Sequence, residues 1–145
     1  MEAHQNRNEA IGARYALGIL LAFGALNAFG GGLYGMSGAT SVPSEWLRHT
    51  PFRGYFIPSL ILFAIVGGAL VVGAVAVFAR LRVARSAAVN AGIVLLIWIA
   101  TQLAMIGYVS WLQPTTAAAG VLILALAAAL PHSRLPVRPF ERRQP

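Results

Sequence analysis

IPSLILFAIVGGALVVGAVAVFA, residues Ile57–Ala79, contains no Asp, Glu, Lys, Arg or His. A continuous apolar run of that length suits a helix crossing a bilayer, which needs about 20 such residues. It has too many apolar residues in a row for one stripe of a water-soluble amphipathic helix. Three further stretches read the same way: Tyr15–Met36 before it, Ser86–Val109 and Thr115–Leu130 after it. The pattern predicts an all-α membrane protein, a four-transmembrane-helix bundle. Residues 15–130 form its membrane domain, with 1–14 as a cytoplasmic N-terminal segment and 131–145 as an Arg-rich cytoplasmic tail.

Composition supports the same class. Hydrophobic residues make up 58% of the chain, charged residues 10%, and mean hydropathy is +0.71, whereas a soluble domain averages about 25% charged residues. The first apolar run is long, lacks a clear small-residue cleavage site and leads into Gly30, Gly31 and Gly32. It reads as a retained helix instead of a removed signal peptide.

The basic residues are all Arg, and their distribution sets the expected orientation. Arg7 and Arg14 precede the first span, Arg80, Arg82 and Arg85 lie between the second and third, and Arg134, Arg138, Arg142 and Arg143 follow the fourth. Only Arg48 and Arg53 fall in the loops of the opposite side. Because basic residues in short loops stay in the cytoplasm, both termini are expected there. Clusters at Arg80, Arg82 and Arg85 and in the tail also suit anionic lipid headgroups, at about 1 kcal/mol per residue near the surface. With no aromatic stacking platform or folded basic module beside them, nucleic acid is not an expected partner.

Several chemistries are excluded by what the chain lacks. Without cysteine there is no disulfide, thiolate nucleophile, iron–sulfur cluster or CxxC redox pair. His4, His49 and His132 lie outside the apolar runs, so no span offers imidazole to haem or a metal. No carboxylate lies within a span, which argues against proton-coupled carriers that titrate a group at membrane depth. No cofactor, metal site or catalytic residue is therefore expected.

The few polar residues inside the spans carry the candidate site. Asn27, at about 1.5 Å per residue from Arg14, belongs to the outer half of the first span. Asn90, Thr101 and Tyr108 would share one line of a continuous third helix, with Thr101, Gln102 and Tyr108 at the outer level near Asn27 and Tyr34. Such groups often serve only as bonds between helices, contributing about 0.6 kcal/mol on average. Taken together at one depth, they also suit an apolar cavity with a few hydrogen-bonding groups that receives a lipid-like, sterol-like or quinone-like molecule.

Over that cavity the first loop is expected to carry a short periplasmic interfacial helix near Pro43–His49, mixing Trp46 and Leu47 with Glu45, Arg48 and His49. Trp46 and Trp111 would form a lid. Glu45 and His49, one turn apart, are too few for a metal and are read as a solvated pair. They are the residues an alternative membrane enzyme acting on a lipid-soluble substrate would use; a small-molecule channel or transporter is a weaker alternative. Small-residue pairs, Gly31/Gly35, Ala28/Gly32, Ala64/Gly68, Ala69/Gly73 and Ala88/Gly92, predict close helix packing within the bundle and leave room for a homo-oligomer. A shift of 74 residues also aligns Gly18 with Gly92, Ile19 with Ile93, Leu21 with Leu95, Asn27 with Thr101 and Tyr34 with Tyr108, a weak parallel repeat that would place a site at the repeat interface.

Two blocks carry a resemblance. Ile97-Trp98-Ile99 through Gly107-Tyr108 to Ser110-Trp111-Leu112-Gln113-Pro114, and Pro43-x-Glu45-Trp46-Leu47 followed by Thr50-Pro51-Phe52, resemble those of uncharacterised bacterial four-helix integral membrane proteins. Through span number and the Arg14–Gly18 opening of the first helix, the chain more loosely looks like the DoxX-like group. That resemblance implies a bacterial inner-membrane location and names no reaction; apart from it, an accessory subunit docking a larger membrane complex is expected as the alternative to a ligand-binding cavity. The redox link of such proteins is not carried over, since no cysteine or cofactor ligand stands here to support it.

Overall fold

Four helical rods pack side by side in chain order, each antiparallel to the next. The computed structural model describes residues 2–43, 51 and 53–130. Helix α1 spans Glu2–Met36; the second rod comprises α2 (Phe56–Ile61), a π-helical segment (Leu62–Gly67) and α3 (Gly68–Phe78); α4 spans Ala84–Ile106 and α5 Leu112–Ala129. No strand occurs among the described residues. The second rod packs on α1 and α4, while α5 closes the ring between α4 and α1. All four rods are long and apolar enough to cross a membrane, as expected of a multi-pass membrane protein.

Close approach of α1 and the second rod rests on small residues. Gly18 faces Phe78, Gly24 faces Leu70, Gly67 lies under the Phe29 ring, Gly32 meets Phe63 and Gly35 meets Ser59. The contacts thus follow an antiparallel register along nearly the whole rod. At Gly32 a Cβ would sit 2.7 Å from the Phe63 Cβ and 3.0 Å from the Ser59 carbonyl oxygen. Side-chain motion alone cannot clear that backbone contact. The Phe29 and Phe63 rings lie 4.7 Å apart at 48°, completing the seam. Of the expected small-residue pairs, Ala28/Gly32 is buried in this seam, whereas Ala64 is exposed and Gly68 has nothing near it. On the other side Gly92 admits Leu124 and Gly120 admits Leu96, a reciprocal exchange between α4 and α5.

Midway along the second rod, the π segment serves that seam. Ser59, Phe63 and Gly67 follow one another at intervals of four and all face α1. An α-helix with 3.6 residues per turn carries residues four apart progressively around its surface. The wider π turn holds more residues, so this spacing stays nearer one face. The core beneath it contains Leu17, Leu21, Val66, Leu70, Val77 and Ile123, all fully buried.

The helix ends have recognisable locks. After α1, Gly38 has φ +108° and Ala39 φ +44°; the Gly38 N–H donates to the Gly35 carbonyl and the Ala39 N–H to the Tyr34 carbonyl. After α3, Arg80 has φ +54°, its N–H donates to the Val77 carbonyl, and the Leu81 N–H donates to the Ala76 carbonyl. Both are the paired 5→2 and 6→1 closure that satisfies the last carbonyls of a helix. Arg14 reaches across from α1 to donate to the same Val77 carbonyl at 3.5 Å, placing a cation at the negative end of the α3 dipole.

Three boundaries differ from the sequence expectation by three residues or more, the first being the start of α1, which is helical from Glu2 instead of Tyr15. The third span stops at Ile106 instead of Val109, because Gly107 takes φ +72°, ψ −166°, a conformation essentially reserved for glycine. Tyr108 therefore leaves the line of Asn90 and Thr101. The fourth span begins at Leu112 and includes Pro114 in its first turn, where a proline removes no intrahelical hydrogen bond. It holds 18 residues, about 27 Å, not the sixteen expected. The expected interfacial helix lies, apart from Pro43, outside the described residues.

Candidate functional site

Between the first-loop ends of α1, the second rod and α4 lies a cleft of about 710 Å³, within the 300–1,000 Å³ typical of small-molecule sites. Three elements and the first loop build it. From α1 come Gly31, Tyr34 and Gly35, the small residues letting the cleft reach the backbone. Pro58, Ser59, Leu62, Ile65 and Val66 line the second-rod wall, so the π segment supplies three of its residues. The facing wall is α4, with Val94, Ile97, Trp98, Thr101, Gln102 and Met105, and Ala39, Val42 and Tyr55 complete the end at the first loop.

The walls are predominantly apolar, and the polar groups fall into two sets. One set is occupied. The Tyr34 hydroxyl accepts from the Ser41 N–H at 3.2 Å, and the Thr101 hydroxyl donates to the Ile97 carbonyl at 2.8 Å. Tyr55 donates to the Pro43 carbonyl at 2.6 Å, tying together the ends of the first loop. Desolvation raises its phenol above the ordinary value, which keeps it protonated as a donor. The other set is open: no hydrogen bond among the described residues engages the Ser59 hydroxyl, the Trp98 indole or the Gln102 carboxamide.

The candidate residues read from the sequence divide accordingly. Tyr34, Thr101 and Gln102 line the cleft. Asn27 does not; it is exposed on the outer face of α1, its Nδ2 donating to the Phe23 carbonyl at 2.8 Å. Thr101 makes the same bond to a carbonyl four residues back, and the other aligned pairs match in burial too: Gly18 and Gly92 buried, Leu21 and Leu95 buried, Ile19 and Ile93 exposed. Tyr108 and Trp111 are exposed beyond the end of α4 and away from the cleft lining. Trp46, Glu45 and His49 lie outside the described residues. No group of three or more potential metal ligands occurs among the described residues.

Ser59 and Trp98 were not among the candidates. Ser59 had a legible signal, as the sole hydroxyl-bearing residue of the second apolar run; Trp98 had none, because a tryptophan amid aliphatic residues fits a lipid-facing position equally well. The Gly107–Pro114 block has a structural task. Gln113, 5% exposed, accepts through Oε1 from the Val109 N–H at 3.0 Å and the Ser110 N–H at 3.4 Å, and donates through Nε2 to the Gly107 carbonyl at 3.1 Å. One side chain thereby satisfies three backbone groups of a tight connection, which accounts for the block without a ligand.

Comparison with protein-family models, with curated proteins and with solved structures finds no match to this chain.

Proposed function

We infer that this is a non-enzymatic integral membrane protein that binds a lipid-like hydrophobic molecule in its outer cleft. The carrying observation is the combination there of volume, apolar walls and open hydrogen-bonding groups on Ser59, Trp98 and Gln102. Such a site orients a mostly apolar ligand through a few polar contacts. A binding role rather than catalysis is favoured because no carboxylate, imidazole, amine or thiol lines the cleft among the described residues. An accessory subunit that presents or holds such a molecule for a larger membrane complex is consistent with the same site.

The placement that goes with this reading is a bacterial inner membrane with both termini in the cytoplasm, which sets the cleft in the outer leaflet. The arginines at 80, 82 and 85 and in the tail then face the anionic inner leaflet.

The test is extraction and mass spectrometry of small molecules retained by the detergent-purified protein, beside an Ile97→Trp variant that fills the cleft from its exposed rim. A hydrophobic species retained by the wild type and depleted in the folded variant supports the reading. Equal retention by both, or none by either, contradicts it.

A further inference from the structure

Resting on the reading of the cleft as a binding site, we propose that its ligand is an amphiphile with an uncharged, hydrogen-bonding headgroup that enters sideways from the surrounding hydrocarbon. Charge gives the first argument. None of the described lining residues is Asp, Glu, Arg, Lys or His. A phosphate or carboxylate taken between these walls would lose its water without gaining a counter-charge, which strongly disfavours the ionised form.

The polar groups left open give the second. Ser59 is only 8% exposed, lies against Gly35 and lines the cleft, yet no hydrogen bond to its hydroxyl exists among the described residues. Its Oγ abuts Gly35, which lines the cleft with it, and a hydroxyl there without a bonded partner is free to take a ligand group. Gln102 adds a carboxamide that both donates and accepts. With Thr101 and Tyr34 already bonded, recognition falls to Ser59 and Gln102. Each matches a hydroxyl, ester or ketone, and neither brings net charge.

The third argument is access. Ile65 and Ile97 both line the cleft while remaining 57% and 60% exposed. They stand on its rim, on the bundle's apolar exterior. The main packing of α4 on the second rod is with α3, farther in, and α2 packs on α1. The outer rods therefore part into a lateral slot. Ser59 lies in the first turn of the second rod and Gln102 in the last turns of α4, whereas Val66 and Val94 lie deeper. A headgroup at Ser59 and Gln102 leaves its chain pointing towards the bundle centre, the orientation of an outer-leaflet lipid.

The test uses the full chain with Trp46→Phe and Trp111→Phe, so that Trp98 on the cleft wall is the remaining indole. Two probes share one brominated acyl composition: diacylglycerol, which is uncharged, and phosphatidic acid. Diacylglycerol is expected to quench Trp98 saturably, with half-saturation at least tenfold below that of phosphatidic acid. Gln102→Leu is expected to weaken diacylglycerol about tenfold, the usual effect of losing one buried hydrogen bond, and Ser59→Ala to weaken it in the same direction. Equal or tighter phosphatidic acid binding overturns the uncharged headgroup but leaves the cleft a lipid site. Saturable quenching by neither probe overturns the binding reading itself. If the double Trp variant does not fold, the two probes are compared by native mass spectrometry on the wild-type chain, with the same outcomes decisive.

Discussion

At the residue scale, two glycines only two positions apart on α1, Gly30 and Gly32, behave oppositely. Gly32 has the Phe63 Cβ and the Ser59 carbonyl where its own Cβ would go, so Gly32→Ala must push two backbones apart. Overpacking of that kind costs about 1–3 kcal/mol. Gly30→Ala meets nothing within 4 Å and gains helix propensity, up to about 1 kcal/mol. Thermal unfolding in detergent is expected to give a lower Tm for the first and an equal or higher Tm for the second; equal lowering by both would contradict the seam. Gln113→Leu leaves the Val109 and Ser110 N–H groups and the Gly107 carbonyl without their partner, a loss of about 1–3 kcal/mol. Unchanged stability in the same assay would show that the connection does not depend on this side chain. Arg80 sits at φ +54°, where glycine is free of the steric penalty on other residues. Arg80→Gly is accordingly expected to stabilise by about 1 kcal/mol, and a lower Tm would contradict that account of the α3 terminus.

At the element scale, the four spans were legible because hydrocarbon tolerates no unpaired charge, so a run free of charged residues reports its environment directly. Which face of each span turns inward was not legible. In lipid both faces are apolar, so the periodic contrast that marks the buried side of a soluble helix is missing. Asn27 was placed inward for its polarity, yet bonding the Phe23 carbonyl lets it sit outside. The end of α4 was hidden for another reason: helices tolerate a glycine, and the positive φ of Gly107 is a property of the turn. The small-residue pairs were more informative, since close approach has a definite steric requirement, although Ala64/Gly68 faces outward. The π segment left no mark in the sequence that separates it from an α-helix. Deleting the exposed Ala64 would return this stretch towards α-helical counting and move Ser59 off Gly35. Lower Tm together with loss of the retained hydrophobic molecule is expected, and full retention of both would contradict the role of the wide turn in shaping the cleft.

At the scale of the whole molecule, the cleft, the arginines and the loop locks form one arrangement. The rods pack tightly where α3 meets α1 and α4, and open at the other end, where α4 and the second rod part beneath the first loop. The arginine-bearing connection at Arg80, Arg82 and Arg85 belongs to the tightly packed end. If that end is cytoplasmic, the cleft faces the outer leaflet, the placement proposed for its ligand. The native chain has no cysteine, so single thiols can be placed without background. Ser37 and Ser110, exposed or partly exposed beyond α1 and before α5, and Ser86, exposed near the start of α4, mark the two ends. With a membrane-impermeant maleimide on intact cells, Ser37→Cys and Ser110→Cys are predicted to label, and Ser86→Cys only after lysis. Labelling of Ser86→Cys in intact cells, with the other two protected, would invert the molecule and contradict the account.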